Sequence, residues 1–498
     1  MEKIEILKNI TFGERVAEEE KDLEGYFVET MIWHKLIRNE VDVVRGVKGA
    51  GKSALYKKLL NKKTELEKNN FLIIPAEQLE GAPVFKSVLR NSEISENEFE
   101  ELWKLYILTL IGTELNEKSL KGEKVEKLIK RLKEEKLLEA TDLKSKLVAV
   151  KEYVQRWFSK DLAGIELQST TDATGQIPIY AAKILFKEPN MKEKELGLVS
   201  INEMLELADE ALEEQGKQVW ITFDRLDVAF SDNPSLEMVA LRTLFRVYND
   251  LKSNHNIKLK IFIRQDIWQK ITECGFREAS HITKQINIEW NDQDLLYLVS
   301  RRIVNNKEIC EYLDIDKEEV LKDMNLQEEV FYSIFPKQVD TGKNPETFKW
   351  MLSRIEDGLG IRAPRELIHL LNEAKDKQIS NISKGIDCGM NKELISRAAL
   401  RNALEEVSKV RLVQTIYAEY PELRKYIELL QEHKTEYTIK TISKVFGITQ
   451  KETKRVIPEL VAIGFLKEKI GKLGKDDITY WVPFIYRDAL KLLQGKEK

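Results

Sequence analysis

Residues 46 to 53 read Gly46-Val47-Lys48-Gly49-Ala50-Gly51-Lys52-Ser53, a GxxxxGKS spacing without a mismatch. Each residue type in it suits the handling of a phosphate. Glycines let successive backbone N–H groups turn toward anionic oxygens, and a helix start behind them adds the positive end of its peptide dipoles. Lys52 would contact the outer phosphate oxygens and Ser53 would ligate Mg²⁺, with Ala54 closing the cofactor-binding stretch. No NKxD segment of the kind that reads guanine occurs in the chain, which tilts the base toward adenine.

A second chemical stretch is ITFDRLD, residues 221 to 227. Asp224 ends an apolar run, where a carboxylate could hold a Mg²⁺ ion and its waters. The same residue could instead cap the helix behind it. The next position, where a glutamate would activate water, is Arg225. Asp227 then has three open roles: the base that polarises water, a partner that orients Arg225, or a helix cap.

The elements that must position these residues can be read from hydrophobic period. EVDVVRG (40–46) is a short β-branched run ending at glycine, and KSALYKKLLNKK continues as a helix through Leu55, Leu59 and Leu60. NNFLIIPAE, QVWITF (218–223) and KLKIFIRQDIW supply three more strands, and SLEMVALRTLFRVYNDLK is the helix between the last two. Near-continuous apolar strands alternating with helices predict an α/β core whose parallel sheet is covered on both faces. Glu96 to about Glu214 reads as an inserted layer of charged helices, broken by GIELQSTTDATGQIPIYAAKIL, a hairpin or extended excursion. Asn291 to about Glu432 reads as all helix, and the last sixty or so residues as helix, helix, strand, strand.

Three domains follow: a P-loop core over 1–290 with the insertion at about 96–214, an all-α lid and helical domain over 291–432, and a winged-helix domain over 433–498. In the last, Thr449 precedes a helix with Lys451, Lys454 and Arg455 near its exposed start, and Lys467, Lys469, Lys472 and Lys475 lie along a hairpin. From Glu436 onward 13 Lys/Arg face 8 Asp/Glu, while the whole chain has net charge −4, so this module alone offers a basic patch to DNA. A protein-binding role for the same module is the other reading.

The bulk numbers exclude several classes. Cys274, Cys310 and Cys388 are far apart with no CxxC or Cys/His spacing, so neither a disulfide framework nor a zinc site is expected. The five histidines are scattered, with no nuclease, protease or deaminase constellation. No run of ~18 uncharged apolar residues occurs, and the first residues lack a signal-peptide pattern, so a cytoplasmic location is expected.

GVKGAGKS, DRLD, the strand IFIRQD, the helical segment RAPRELIHLLNEA and the terminal module together resemble the AAA+/STAND group of P-loop ATPases. More narrowly the chain is similar to bacterial ATPases associated with antiphage defence, and more distantly to origin-recognition-like AAA+ ATPases. The resemblance covers most of the chain and leaves the helical insertion unplaced. It implies ATP and Mg²⁺ as ligands, self-assembly, a protein partner such as a co-encoded effector, and Asp224 on the metal. It implies that Arg264, at the end of the IFIR strand, takes the position beside the γ-phosphate, although pairing with Asp266 or Asp224 would also account for it. It puts a nucleotide-reaching arginine at Arg365, with Arg362 as the alternative, and a subunit-bridging finger at Arg242 or Arg246, where surface solvation is the other account. Arg225 departs from strongly hydrolysing relatives, which implies slow turnover, a base supplied on assembly, or a purely regulatory nucleotide. A DNA-loading ATPase is the rival within the same resemblance.

Overall fold

The computed structural model describes residues 2–77, 84–89, 94–158, 184–188, 190–191, 199–229, 233–273, 275–386, 393–470 and 478–497. The chain divides into two compact units, one of Met31–Val47 and Lys52–Ile288, the other of Met1–Thr30, Lys48–Gly51 and Glu289–Lys498.

The first unit is built on strands β1 (Val43–Gly46), β2 (Phe71–Pro75), β3 (Gln218–Phe223), β4 (Ile257–Arg264) and β5 (Gln285–Asn287). All pair in parallel, in the order β2-β3-β4-β1-β5. In β3 every residue from Val219 to Phe223 is buried, as a strand covered on both faces requires. The fold is α/β with a phosphate-loop spacing between β1 and the helix Lys52–Asn61, as the sequence predicts. From β1 the chain runs to β2 at one edge, and from neighbouring β4 to β5 at the other. Where connections diverge like this, a crevice opens outside the carboxyl ends of the strands.

The helix Glu96–Glu117 starts where the sequence places it. Ser95 Oγ accepts from Glu98 N–H at 3.3 Å while the Glu98 carboxylate accepts from Ser95 N–H at 2.8 Å, a reciprocal cap. Residues Leu102 to Gly112 are buried without a break, all of them apolar or glycine except Lys104 and Thr109. Trp103 Nε1 donates to Ala240 O and Tyr106 Oη to Ala76 O, each at 2.9 Å, so this helix belongs to the same core as the sheet. Of the stretch read as a hairpin, residues 164–183 lie outside the described residues. Ile184–Leu185 pair in parallel with Val199–Ser200.

In the second unit, residues 291–432 carry helices and no strand among the described residues, including Asp292–Val304, Pro364–Ser383 and Arg397–Arg411. The chain then forms β6 (Lys434–Tyr437), helices Ile439–Phe446 and Gln450–Ala462, β7 (Lys467–Ile470), β8 (Ile478–Trp481) and β9 (Leu493–Lys496). These strands make a sheet in the order β9-β6-β8-β7, with β7 and β8 antiparallel. Tyr437, which the sequence places at the start of a helix, ends β6 instead, because Thr438 accepts from Thr441 N–H and caps the helix one residue later. The proposed wing tip, with Lys472 and Lys475, lies outside the described residues. Among the described residues no helix is long and apolar enough to cross a membrane.

Candidate phosphate-binding site

β1 stops at Gly46 and the next helix opens at Lys52, which leaves Val47 to Gly51 as the loop and Ser53 and Ala54 in the first helical turn. Gly49 and Gly51 have φ of +82° and +103°, a region that L side chains rarely adopt. A Cβ on Gly49 would fall 2.9 Å from the Cβ of Arg365, whereas the nearest atom to one on Gly51 is a Trp290 ring carbon at 4.0 Å. Lys48 and Ala50 are each anchored by a partner further along the chain. Trp290 Nε1 donates to Ala50 O at 2.9 Å, and Lys48 pairs with Glu419 at 2.6 Å. Lys48 Nζ also donates to Gln414 O at 3.2 Å, in a π turn (Leu412–Tyr417) of the kind that frees carbonyls for outside partners.

In the unit that holds the sheet, Lys52 Nζ donates to Gly46 O at 2.8 Å and Val47 O at 3.0 Å. Burial lowers the proton affinity of this ammonium, against the pull of Asp227 and Asp224. β4 lies between β1 and β3, and its register sets Arg264 directly opposite Gly46. Arg264 is gripped by Asp266 through two bonds of 3.0 and 2.7 Å, and its Nη1 stands 3.7 Å from Asp227. Burial pushes the Asp266 carboxyl up, but the Arg264 charge and hydrogen bonds outweigh it and hold the group below its ordinary range.

Asp224 follows β3 directly and is 3% exposed. Arg225 sits in the left-handed region at φ +59°, uncommon for a residue with a side chain. Its carbonyl accepts from Val228 and Ala229 N–H, so Arg225 holds the cap position of the helix Leu226–Ala229 and Asp227 lies inside the first turn. This turn carries the acid toward Arg264.

A further carboxylate in this neighbourhood is not evident from the sequence. Glu237, in the first turn of the helix Pro234–Asp250, is pushed up to about 7 by burial, opposed by Lys270 and reinforced by Asp227. An acid at the start of a Pro-opened helix reads as a favourable dipole contact, which hides its position near Asp227, Arg264 and Asp266. Asp266 is the partner that the sequence offers for Arg264, and the pairing is present.

The two arginines around Pro364 differ. Arg362 is bonded to Asp292 and, at 2.9 Å, to Glu356. Arg365 lies against Gly49, and no ion pair involves it among the described residues. Behind it, Glu366 and Asp357 flank Arg411 at 2.9 and 3.5 Å. Gly358 N–H in turn donates to Gly464 O at 2.6 Å, in the turn before β7. Arg246, one of the two finger candidates, is held by Glu96 at 2.7 Å and Glu278 at 3.7 Å. Lys451, Lys454 and Arg455 are exposed on the helix Gln450–Ala462, while Lys467 pairs with Glu356 at 3.2 Å.

The donor set fits a nucleotide with Mg²⁺. Two left-handed glycines keep side chains out of the loop, and a lysine closes it. Among the described residues no cluster of three or more His, Cys, Asp or Glu could cage a metal alone. Mg²⁺ takes one or two protein oxygens and completes its octahedron with water and phosphate, so a hydroxyl and a carboxylate such as those of Ser53 and Asp224 would suffice.

No protein-family profile matches the chain, and no curated protein matches it. Among solved structures, the chain is similar to the Walker-type ATPase paby2304 of Pyrococcus abyssi, with 12% identity and a TM-score of 0.41 over 94% of this chain and 96% of that one. It is similar to the Aeropyrum pernix ORC1 protein in complex with DNA, with 11% identity and a TM-score of 0.36 over 96% of each chain. For the Aeropyrum pernix ORC2 protein in its ADPNP-ADP complexes the values are 10%, 0.41 and 93% of each chain. Likeness at this level assigns no role to any residue here.

Proposed function

We propose that the chain is an ATP-binding, ATP-hydrolysing P-loop protein of the AAA+/STAND kind, acting as a nucleotide-dependent switch in a multi-subunit assembly. The observation that carries this reading is the loop from Gly46 to Ser53, with left-handed Gly49 and Gly51, Lys52 at the helix start and Asp224 at the end of the second strand away. Backbone N–H groups of Val47 to Lys52 bind the phosphates, and Lys52 exchanges its two loop carbonyls for phosphate oxygens. Ser53 and Asp224 would hold Mg²⁺, which would supply charge to offset that developing on a transferred phosphoryl group. Arg264, kept in place by Asp266 and Asp227, presents a cation beside Gly46, and Arg365 adds one beside Gly49.

Arg225 in the left-handed cap position is not a base, so a carboxylate nearby takes the proton of the attacking water. Asp227 and Glu237 are the two candidates. Asp227 stands 3.7 Å from the Arg264 cation, a partner that competes with the attacking water for its carboxylate. Slow turnover follows, as suits a switch or scaffold, and a role in antiphage defence beside a co-encoded effector accords with that behaviour.

A second reading, DNA binding through the terminal module, is favoured by the exposed Lys451, Lys454 and Arg455 on its second helix. The two helices followed by antiparallel β7 and β8 accord with a winged-helix reading, and basic residues there would give salt-dependent phosphate contacts. Phosphate release measured with Mg²⁺-ATP tests the main reading. Multiple turnovers lost in Asp224→Asn are expected, and turnover that survives this change removes Asp224 from the site.

A further inference from the structure

At the opposite, amino-terminal ends of the strands the first unit holds a cavity of ≈ 200 Å³. It is lined by Lys252, Lys258 and Lys284, with Asp42, Tyr248 and Thr283 among the polar groups. Lys258 and Arg264 lie on the same strand β4, six positions apart, so the cavity is about 20 Å from the phosphate loop at ~3.3 Å per residue.

Charge in this cavity does not balance. Among the described lining residues the one carboxylate is Asp42, and it is already matched. Buried Lys260 donates to Asp42 Oδ1 at 2.7 Å, as well as to Asn39 Oδ1 at 2.6 Å and Val41 O at 2.7 Å. Tyr248 Oη donates to Asp42 Oδ2 at 3.1 Å. That leaves Lys252, Lys258 and Lys284 around the opening. Each is steered by one backbone carbonyl, of His281, Asn254 (2.7 Å) and Asn39 (3.1 Å) respectively. Lys252 also stands 5.1 Å over the Tyr248 ring. Burial lowers the proton affinity of both Lys252 and Lys258, with Asp42 opposing it. Lys284 opposes the charge of Lys258, which Asp42 and Asp209 favour, and Lys252 and Lys284 are exposed, so an anion entering from solvent reaches all three ammonium groups at one opening.

We propose that this cavity is a second ligand site, one that binds the phosphate group of a small phosphorylated molecule independently of the nucleotide loop. The Asp42–Lys260 pair forms its neutral floor, the three lysines bind the phosphate oxygens, and Thr283 adds a hydroxyl at the rim. Such a site gives the sheet a separate input at the end remote from the γ-phosphate.

The test uses the full-length Lys52→Ala protein, in which the loop is disabled, and calorimetry with inorganic pyrophosphate, AMP and a 5′-phosphorylated single-stranded oligonucleotide at low salt. Saturable binding is expected, weakened about tenfold or more by Lys252→Gln/Lys284→Gln and retained in Lys252→Arg/Lys284→Arg. In the wild-type background the Gln pair is expected to leave the ATP hydrolysis rate and thermal midpoint unchanged. Binding of pyrophosphate and AMP alone identifies a free metabolite as the ligand class, and binding of the oligonucleotide as well identifies a nucleic-acid phosphate. No saturable binding of any of the three, or equal binding by the Gln pair, overturns the site.

Discussion

Replacing Arg411 by methionine tests how the start of the helix Pro364–Ser383 is held. The guanidinium stands between Glu366, 7% exposed, and Asp357, 6% exposed, with its own side chain 11% exposed. Removing it leaves two buried carboxylates without their cation, a change that costs about 3–5 kcal/mol in comparable buried pairs. Asp357 is partly satisfied by the Leu359 and Ile361 N–H groups, which places the expected loss near the lower end of that range. The pH dependence has a definite sign. Burial already holds the Asp357 carboxyl above its ordinary range, and losing Arg411 raises it further. A carboxyl whose folded affinity for a proton exceeds its unfolded affinity destabilises the protein as pH rises through the folded value, so the variant should lose less stability at pH 5 than at pH 7.5. Urea unfolding, with hydrogen exchange across Pro364–Ser383 as a local readout, measures both. Glu366→Gln added to Arg411→Met should recover about 1–2 kcal/mol. A loss below about 1 kcal/mol, or an equal loss at both pH values, would refute the reasoning.

If Glu237 is the base, hydrolysis should rise with pH through about 7, and Glu237→Gln should abolish that rise. Because the folded carboxyl binds its proton more tightly than the unfolded one, the same variant should gain about 1–3 kcal/mol of stability at pH 8 and nothing at pH 4, read by chemical denaturation. Gly49→Ala places a Cβ at φ +82° and 2.9 Å from Arg365, and should weaken ATP binding at least about tenfold in calorimetry while costing about 1–2 kcal/mol of stability. Should the terminal module contact DNA, Lys454→Ala/Arg455→Ala should weaken binding and flatten its dependence on log salt by about two.

What could be read from the sequence was whatever depends on neighbours along the chain. The loop from Gly46 to Ser53 and the strands β1 to β4 declare themselves through spacing and apolar runs. β5 does not, because three residues, Gln285–Asn287, are too few to show a period. β6 and β9 escaped for the same reason, at four residues each. The helix Glu96–Glu117 was legible as a helix, but its charged ends drew attention from the continuously buried middle that makes it core. At the site, Asp224 and Arg264 follow from where their strands end. The Arg264–Asp266 pair, two residues apart, was legible as one account of Arg264, whereas that Arg362 is tied to Glu356 and that Glu237 joins the acids near Arg264 depend on tertiary placement. No local pattern carries such information.

The central claim is that Gly46 to Ser53 bind the phosphates of ATP with Lys52 as their cation. Calorimetry of Mg²⁺-ATP with the wild-type chain and with Lys52→Ala, each first shown to be folded by its thermal midpoint, tests it most directly. The account predicts one saturable site in the wild type and a loss of about 10²-fold or more in Lys52→Ala, the scale of a charge-assisted phosphate contact or two. Equal affinity in the two proteins would contradict it.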